Sequence, residues 1–508
     1  MIRYKLALPA PGSFIPEPRE RYYLERIIKD QLTDENAWRH FVDAFRTKAD
    51  VADLGWRGEF WGKMMRGASL VYRCTNDAEL YAVMEKAVRA LLENAEPDGR
   101  ISTYDRETEC SGWDIWCRKY VLTGMLHFCD ICKDASLAGT VLDAMERHLD
   151  CLLAVVGPGK KEITETSDFW LGVNSCSILE PVLDLYKRRP RGRFLDFARY
   201  IIETGGCSGG DLVALALEDK TPPYLYPENK AYETMSFFEG VLAYYEVTGE
   251  KKYLDAAVRF AEAVYRTDMT LIGCAGCTHE LFDNSAVRQT EYSDTIMQET
   301  CVTVTWMRLC ARLFLLTGDV KYADRVERSA VNALYGSVNL YSQPHTMPRR
   351  EDSVPALPFD SYSPLYMNRR GRGVGGFKLY DDGFFYGCCA AIGAAGLAVY
   401  PLVEALRDDR EQSCELEEHR LGGKIAFTYG PYVLARDEEK ERADIEEPVR
   451  PLEKDGRLCY ELLPCEKGEQ VRLILKTTGG DILLTDYASC GKRWDQPRAA
   501  VSVWHEIV

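Results

Sequence analysis

The chain has 508 residues, with 63 Lys or Arg against 79 Asp or Glu, so its formal net charge is −16. This length suffices for one large domain and a smaller one, because a single core seldom grows past about 300 residues unless the architecture is a barrel. An acidic balance without a Lys- or Arg-rich stripe argues against nucleic acid and against an anionic membrane as the main partner. Hydrophobic residues make up 46% and charged residues 28% of the chain, as in ordinary globular proteins.

The N-terminal segment and the apolar runs bear on the location of the protein. Residues Met1 to Pro9 contain no apolar core long enough for a signal peptide. No uninterrupted apolar run reaches the roughly 18 residues of a membrane span. We therefore expect a cytoplasmic protein with no membrane segment, in which most of the 18 cysteines are reduced, buried thiols. The protein is a possible homodimer, since nothing in these features argues against self-association.

In chain order, the predicted elements begin with a helix near 18–46 and continue with a recurring helix–turn–helix unit. The turns of this unit fall in the segments 72–77, 128–134, 186–195, 245–257 and 314–323. In the clearer copies a Gly or Asn ends the first helix by adopting the left-handed conformation. Five hairpins, together with the helices near 18–46 and 389–405, give close to twelve helices. The pattern predicts a mainly α fold, an (α/α)6 barrel; an open α-solenoid is the alternative, disfavoured by the irregular spacing.

Long loops separate the predicted hairpins. They cover residues 97–116, 155–172, 205–230, 267–298 and 336–386 and are rich in Gly, Pro, Tyr, Trp and Asp. Long ordered loops gathered at one end of a helical scaffold are where a binding site is usually built. We therefore expect the functional site at the end of the barrel where these loops lie.

After about residue 406 the pattern changes to short β-like runs between charge clusters. Strands are predicted at 425–429, 432–434, 471–475, 482–484 and 501–504. The charge clusters are interpreted as solvated surface. The predicted domains are a barrel over residues 1–405 and a small β-rich, sandwich-like domain over residues 406–508.

Two thiol-bearing segments lie at predicted helix starts. Glu299 and Cys301 precede a helix predicted over 302–316, while Cys388 and Cys389 open the last helix of the barrel. Helix N-termini favour thiolate over thiol, because their unpaired N–H groups and dipole stabilise negative charge. One carboxylate and three thiolates can form a four-coordinate zinc site. The alternative is that these are four of many buried residues in a cysteine-rich chain, since the four candidates do not include a Cys-x-x-Cys motif.

These segments resemble glycoside hydrolase family 127, the β-L-arabinofuranosidase-like proteins. The specific part of the resemblance is Glu-Thr-Cys before one helix together with Cys-Cys after the loop that closes the barrel. The resemblance extends over most of the chain and includes residues 58–63, 98–101, 240–254, 276–282 and 429–435. It implies a zinc-dependent retaining glycoside hydrolase that uses a cysteine nucleophile instead of a carboxylate.

The resemblance also implies a role for each matching residue. Glu299, Cys301, Cys388 and Cys389 become the ligands of a Zn²⁺ cofactor, and Cys388 becomes the nucleophile as well. Glu280 becomes the general acid/base. Zinc keeps a thiol ionised, and a carboxylic acid can protonate the leaving oxygen and then activate water. The implied substrate is a small glycoside or oligosaccharide.

Five further residues are candidates for binding the sugar: His279, His345, Trp113, Tyr120 and Tyr232. The two histidines lie on long loops of the expected site, and aromatic rings can stack on a sugar. For each of these side chains the alternative is structural, core packing for the aromatic residues and a buried hydrogen bond for the histidines. Where arabinofuranosidases have pocket histidines, this chain has Tyr120 and Tyr232, so the identity of the sugar stays open.

Two other functions are weighed against the hydrolase. The first is a non-catalytic carbohydrate-binding protein with a structural zinc on the same barrel, which would have a closed site with four protein ligands. The second is a sugar lyase or epimerase, which would need an acid–base pair that includes histidine. Only His279 and His345 can be placed on the late loops.

Overall fold

A computed structural model shows the architecture of the chain. It describes residues 2, 4–276, 278, 280–291, 298–339, 345–346, 353–354, 357–359, 362–363, 365–369, 376–407, 414–441, 444–491 and 500–508. In this part of the chain the α-helices are α1 Pro18–Ile27, α2 Glu35–Thr47, α3 Gly58–Thr75, α4 Ala78–Leu92, α5 Asp114–Cys129, α6 Ala135–Val155, α7 Val173–Cys176, α8 Leu179–Arg188, α9 Gly192–Glu203, α10 Leu212–Glu218, α11 Ala231–Thr248, α12 Lys251–Thr267, α13 Ser285–Arg288, α14 Thr300–Thr317, α15 Val320–Arg328, α16 Tyr335–Ser337 and α17 Cys388–Glu404.

The strands in the described residues are mostly short and follow one another late in the chain. They are β1 Gly206–Cys207, β2 Gly210–Asp211, β3 Gln298–Glu299, β4 His345–Thr346, β5 Ser353–Val354, β6 Tyr362–Ser363, β7 Asn368–Arg369, β8 Phe377–Leu379, β9 Phe385–Gly387, β10 Leu416–Leu421, β11 Lys424–Tyr429, β12 Tyr432–Asp437, β13 Glu453–Lys454, β14 Arg457–Leu458, β15 Tyr460–Leu462, β16 Arg472–Leu475, β17 Ile482–Asp486, β18 Ala500–Ser502 and β19 His505–Glu506.

Six of the described helices form a closed inner ring. They are α3, α5, α8, α11, α14 and α17, each in contact with the next, and α17 returns to α3. Five of them run directly into an outer helix, namely α4, α6, α9, α12 and α15, and α1 and α2 pack outside α17 and α3. This arrangement is the predicted (α/α)6 barrel, with the predicted hairpins as its repeating unit.

The hairpin turns adopt the conformations that their sequences predict. Asn76, Gly249 and Gly318 end their helices at φ values of 50°, 76° and 67°. Asp77 and Asp319 then cap the following helices by accepting hydrogen bonds from backbone N–H groups. A residue in the left-handed region stops one helix and an acidic cap starts the next, so the chain reverses within a few residues.

The direction of the inner helices places the site. Every inner helix that belongs to a hairpin precedes its outer partner through a short turn, so these turns lie at one end of the barrel. The long connections from outer to inner helices lie at the opposite end, where the N-termini of the inner helices also meet. Since each helix N-terminus carries partial positive charge, this end of the barrel favours anionic groups.

Close helix contacts depend on small residues. A Cβ atom added to Gly62 of α3 would lie 1.9 Å from the carbonyl oxygen of Tyr120 in α5, and one added to Gly67 would lie 3.0 Å from Cβ of Ala394 in α17. The apolar helix α14 is long enough to cross a membrane by length and composition, but 72% of its apolar window is buried. Its position in the inner ring explains that composition.

The C-terminal strands form one antiparallel sheet in the order β10-β11-β12-β17-β16-β15, with β18 and β19 joined to β12 and β11. Ile425, Phe427, Leu473 and Leu484 belong to a small core within this sheet, whereas Val433 packs with the helical core. Strand β7, from the loop before α17, pairs with β18. The sheet is thus a β-rich unit attached to the barrel, as predicted; the boundary at residue 406 stays a prediction.

Candidate active site

The candidate active site is assembled from the first turns of the inner helices. Cys388 and Cys389 are the first residues of α17, Cys301 is the second residue of α14, and Glu299 occupies the N-cap position of α14. The Glu299 side chain makes no capping hydrogen bond to its own helix. It turns instead toward the thiols, with Oε1 3.4 Å from Sγ of Cys389.

The four predicted metal ligands come together. One donor atom from each of Glu299, Cys301, Cys388 and Cys389 lies within 4.8 Å of every other, and the Sγ atoms of Cys388 and Cys389 are 3.9 Å apart. Cys388 is the most accessible of the three thiols, 8% exposed against 1% for Cys389 and 0% for Cys301. The cluster is therefore buried, and Cys388 is its most accessible thiol.

The surroundings shift the pKa values of the cluster in opposite directions. Hydrogen bonds from Cys301 and Cys389 hold the pKa of Cys388 well below its ordinary value, and burial raises the pKa values of Cys301 and Cys389. Burial and the charge of Cys388 raise the pKa of Glu299 to about 8.

The donor set fits a zinc ion. Tetrahedral zinc with its usual bond lengths holds two sulfur ligands about 3.8 Å apart and a sulfur and an oxygen about 3.5 Å apart. The cluster shows 3.9 Å between the Cys388 and Cys389 sulfurs and 3.4 Å between Cys389 and Glu299. Oε2 of Glu299 is buried without a hydrogen-bond partner in the described residues. Thiolate-rich donor sets favour soft or borderline ions such as zinc.

A second cluster of possible ligands is less suited to a metal ion. Glu109, Cys110 and Asp114 also bring donor atoms close together. However, Arg100 and Arg118 donate to the Glu109 carboxylate at 2.8 and 3.0 Å. Because these guanidinium groups already neutralise the cluster, it offers a cation little attraction.

An ammonium group in an aromatic cage lies beside the thiols. Nζ of Lys63 is 2.8 Å from Glu59 and 4.0 Å from Sγ of Cys301. It also lies 4.7 Å from the ring centre of Tyr232 and 5.3 Å from that of Tyr120. The lysine and its glutamate are almost completely buried. This pair puts a fixed positive charge next to the metal-ligand candidates.

The predicted aromatic residues fall into two groups. The hydroxyl groups of Tyr120 and Tyr232 hydrogen-bond to each other inside the barrel, below the cluster and around Lys63. Trp116 donates its indole N–H to Glu59. Trp113 lies further out, half-buried, with its ring 5.6 Å from that of Trp116. The tyrosines therefore shape the floor of the site and Trp113 its rim.

Glu280 lies on the loop that faces the start of α11. Its carboxylate forms an ion pair with Lys230, and both side chains are largely buried. Its backbone has a φ of 66°, in the left-handed region, and a β-bridge between Lys230 and Leu281 holds the turn. The Lys230 ammonium also acts electrostatically on Cys388 and Glu299. Glu280 thus faces the thiol cluster across this lysine.

Comparison with known families decides the class of protein. Residues 19–346 match the model of the β-L-arabinofuranosidase catalytic domain of glycoside hydrolase family 127. That match covers more than half of the chain and includes Glu299 and Cys301. The chain belongs to glycoside hydrolase family 127. As a member of this family it is a glycoside hydrolase, so the carbohydrate-binding and epimerase alternatives lose their support.

Solved structures share the fold of this family 127 chain. A family 127 β-L-arabinofuranosidase from Geobacillus stearothermophilus T6 aligns with 97% of this chain and 100% of its own at a TM-score of 0.71 and 13% identity. A family 127 β-arabinofuranosidase aligns with 99% of this chain and 96% of its own at a TM-score of 0.68 and 14% identity. A third protein, described as a glycoside hydrolase, aligns with 93% of this chain and 95% of its own at a TM-score of 0.57 and 13% identity. No curated protein matches in sequence.

Two predicted sugar contacts of the family 127 chain stay predictions. His279 lies outside the described residues. His345 lies in β4, opposite Val354, and its side chain is outside what the structure describes.

Sequence reasoning did not assign a role to Glu59 and Lys63. The signal was a Glu-x-x-x-Lys pair in the first two turns of a helix, residues 58–65, which are otherwise apolar or glycine. Charged residues four apart in such a helix can pair with each other in a buried position.

Proposed function

We propose that this family 127 chain is a zinc-dependent retaining glycosidase in which Cys388 is the nucleophile and Glu280 the general acid/base. The observation that carries the proposal is the convergence of three thiols and one carboxylate at zinc-ligand distances, with Cys388 as the most accessible thiol. Zinc, when bound by Glu299, Cys301, Cys388 and Cys389, would keep the thiols ionised and oriented.

In the first step the Cys388 sulfur attacks the anomeric carbon. The bond from that carbon to the leaving oxygen breaks, and Glu280 donates its proton to the oxygen. In the second step Glu280 takes a proton from water, the water oxygen attacks the same carbon, and the carbon–sulfur bond breaks. Two displacements at one carbon return the original configuration, which is the retaining outcome.

The environment of Glu280 supports its role. The ion pair with Lys230 favours the carboxylate, which activates water in the second step, and opposes the protonated form that the first step needs, so Glu280 has to take up a proton when the substrate binds. A non-glycine residue in the left-handed region persists only where surrounding structure imposes it, and such strain is common at functional sites. One solved relative is a β-L-arabinofuranosidase, and we propose a small β-L-arabinofuranosyl glycoside as the substrate.

The experiment is turnover of 4-nitrophenyl β-L-arabinofuranoside by the wild type and by Cys388→Ser. We expect the variant to lose at least about 10³-fold in kcat, because an alcohol is a far weaker nucleophile than a thiolate at neutral pH. The matched control is Cys310→Ala, a buried thiol of α14 outside the cluster, which should keep its activity. The product anomer is followed by NMR.

Two results would contradict the proposal. One is a Cys388→Ser protein that is folded and fully active, which would remove the nucleophile role. The other is an inverted anomer as the first product, which would require water rather than Cys388 to attack the sugar.

A further inference from the structure

The mouth of the site has a row of aromatic side chains that the chemistry above does not use. Trp56 and Trp113 lie 5.8 Å apart, and Phe169 stacks on Trp113 with ring centres 5.6 Å apart and planes 23° apart. Phe169 is 39% exposed and its neighbour Leu171 is 41% exposed. Stacked on one another, Phe169 and Trp113 form with Leu171 a small apolar surface on which a ligand can pack.

The backbone that presents these side chains is strained. Trp170 and Leu171 have φ values of 53° and 48°, and Gly172 follows at 79°. The turn is held by backbone hydrogen bonds, from the N–H of Gly172 to Phe169 O and from the N–H of Ser208 to Leu171 O. Two consecutive non-glycine residues in the left-handed region persist only if the rest of the fold imposes the turn.

This turn lies on the leaving-group side of the proposed reaction. The Lys230 ammonium, which pairs with Glu280, lies 4.8 Å from the ring centre of Trp170. The acid that protonates the leaving oxygen is therefore next to the strained turn. We therefore expect the group attached to that oxygen to lie near Trp170 and its chain neighbour Phe169.

Resting on the proposed function, we propose that Trp113, Phe169 and Leu171 form a subsite for a sugar ring on the leaving-group side of the cleaved bond. A sugar ring has an apolar C–H face that packs on an aromatic ring, and its hydroxyl groups stay in water at an open rim. The substrate class is therefore a disaccharide or longer oligosaccharide, in preference to a simple alkyl glycoside.

The test compares two substrates with the same cleaved sugar, methyl β-L-arabinofuranoside and a β-L-arabinofuranosyl disaccharide. The measured quantity is the ratio of kcat/KM for the disaccharide to that for the methyl glycoside. In Phe169→Ala this ratio should fall about tenfold, the size of one lost stacking contact. Phe169→Trp should restore it, and Tyr22→Ala, an aromatic residue of α1 that is 49% exposed, should leave it unchanged. An unchanged ratio in Phe169→Ala would overturn the subsite.

A binding measurement separates this proposal from the mechanism. If Cys388→Ser stays active, the nucleophile assignment fails, but the substrate ratio still tests the subsite. If the wild type cleaves neither compound, calorimetry with the disaccharide decides: binding about tenfold tighter to the wild type than to Phe169→Ala supports the subsite. Equal binding to the two proteins, or none to the wild type, would overturn it.

Discussion

At the scale of single residues, the fixed charges around the thiol cluster determine what it can hold. Three thiolates and a carboxylate around a divalent cation carry a net negative charge in a buried position. The Lys63 ammonium, 4.0 Å from the Cys301 sulfur, offsets part of that charge, and Glu59 and the aromatic cage hold the lysine in place. Side chains that support metal ligands in this way typically contribute to metal affinity.

Replacing this lysine should therefore weaken metal binding. We expect Lys63→Met to bind zinc about 10- to 100-fold more weakly than the wild type, as other second-layer changes do. The measurement is a competition titration against a chromophoric chelator. Lys86→Met removes an exposed lysine that pairs with Glu35 on the surface and should bind zinc as the wild type does. Equal affinities for the two variants would show that Lys63 does not support the cluster.

A second buried lysine lies deeper in the barrel. Nζ of Lys119 donates to Ser177 at 3.0 Å and lies 4.3 Å from the ring centre of Trp116. Burial lowers the pKa of Lys119 to about 7, against the opposing charges of Glu180 and Glu239. In the unfolded chain the pKa of this lysine is about 10.4. Between pH values of about 7 and 10.4, the Lys119 amine is therefore less protonated in the folded protein than in the unfolded chain.

The sign of the pH dependence follows. The penalty for burying Lys119 is complete below about pH 7 and is relieved as the pH rises toward about 10.4. Lys119→Met should therefore gain stability relative to the wild type at pH 6.5 and lose that advantage by pH 9.5, a change on the order of 3 kcal/mol. Urea unfolding at both pH values measures it, with Lys86→Met as the surface control. If Lys119→Met and the wild type differ in free energy of unfolding by the same amount at both pH values, the lowered pKa of Lys119 is contradicted.

At the scale of elements, the barrel depends on the closeness of its inner helices. Gly62 of α3 lies against the backbone of Tyr120 in α5, and Gly124 of α5 lies against Gly62 in return. These two inner helices carry much of the floor of the site, including Lys63 and Trp116. A larger residue at the crossing would move both helices, because packed interiors have few voids to absorb it.

A pair of glycine substitutions tests this contact. Gly62→Ala places a Cβ atom 1.9 Å from the Tyr120 carbonyl oxygen and should lower the free energy of unfolding by about 3 kcal/mol. Gly139→Ala lies in α6 with no atom within 4 Å of the new Cβ and should raise it by up to about 1 kcal/mol, since alanine favours helix. Chemical denaturation measures both. Similar effects in the two variants would mean that helix propensity, not the α3–α5 crossing, decides the outcome.

At the scale of the whole molecule, the cluster joins two inner helices that lie far apart in the sequence. Glu299 and Cys301 start α14, while Cys388 and Cys389 start α17, the helix that closes the ring against α3. An ion held by all four residues binds the closed ring and not the unfolded chain. A ligand that binds only the native state stabilises it by an amount that grows with the logarithm of the ratio of free ligand concentration to Kd.

Removing the metal should therefore lower the thermal stability of the whole barrel. We expect the melting temperature to be several degrees higher with one equivalent of zinc than after chelation. Differential scanning calorimetry measures both values. In Cys389→Ala, which loses one ligand, the shift should shrink to a fraction of the wild-type value. A wild-type melting temperature that does not respond to chelation would mean that the cluster does not hold an ion that joins α14 to α17.

The repeating hairpins could be predicted from the sequence, because their signals are local. A helix stop such as Gly249 or Gly318 and an acidic cap such as Asp319 act within one turn of chain, so the twelve-helix barrel follows from their recurrence. The four ligand candidates were also predictable, since each pair stands together at a helix start. The cytoplasmic location and the homodimer stay predictions.

The surroundings of the cluster could not be predicted in this way, because they depend on contacts between residues far apart in the chain. The cage around Lys63 joins Tyr120 to Tyr232, which are 112 residues apart in the chain, and the pairing of Lys230 with Glu280 spans 50 residues. Contacts between distant residues leave no periodicity in the sequence, because they depend on how the inner helices close into a ring. The strained turn at Trp170 has the same origin: the fold imposes a backbone conformation that its own residues disfavour.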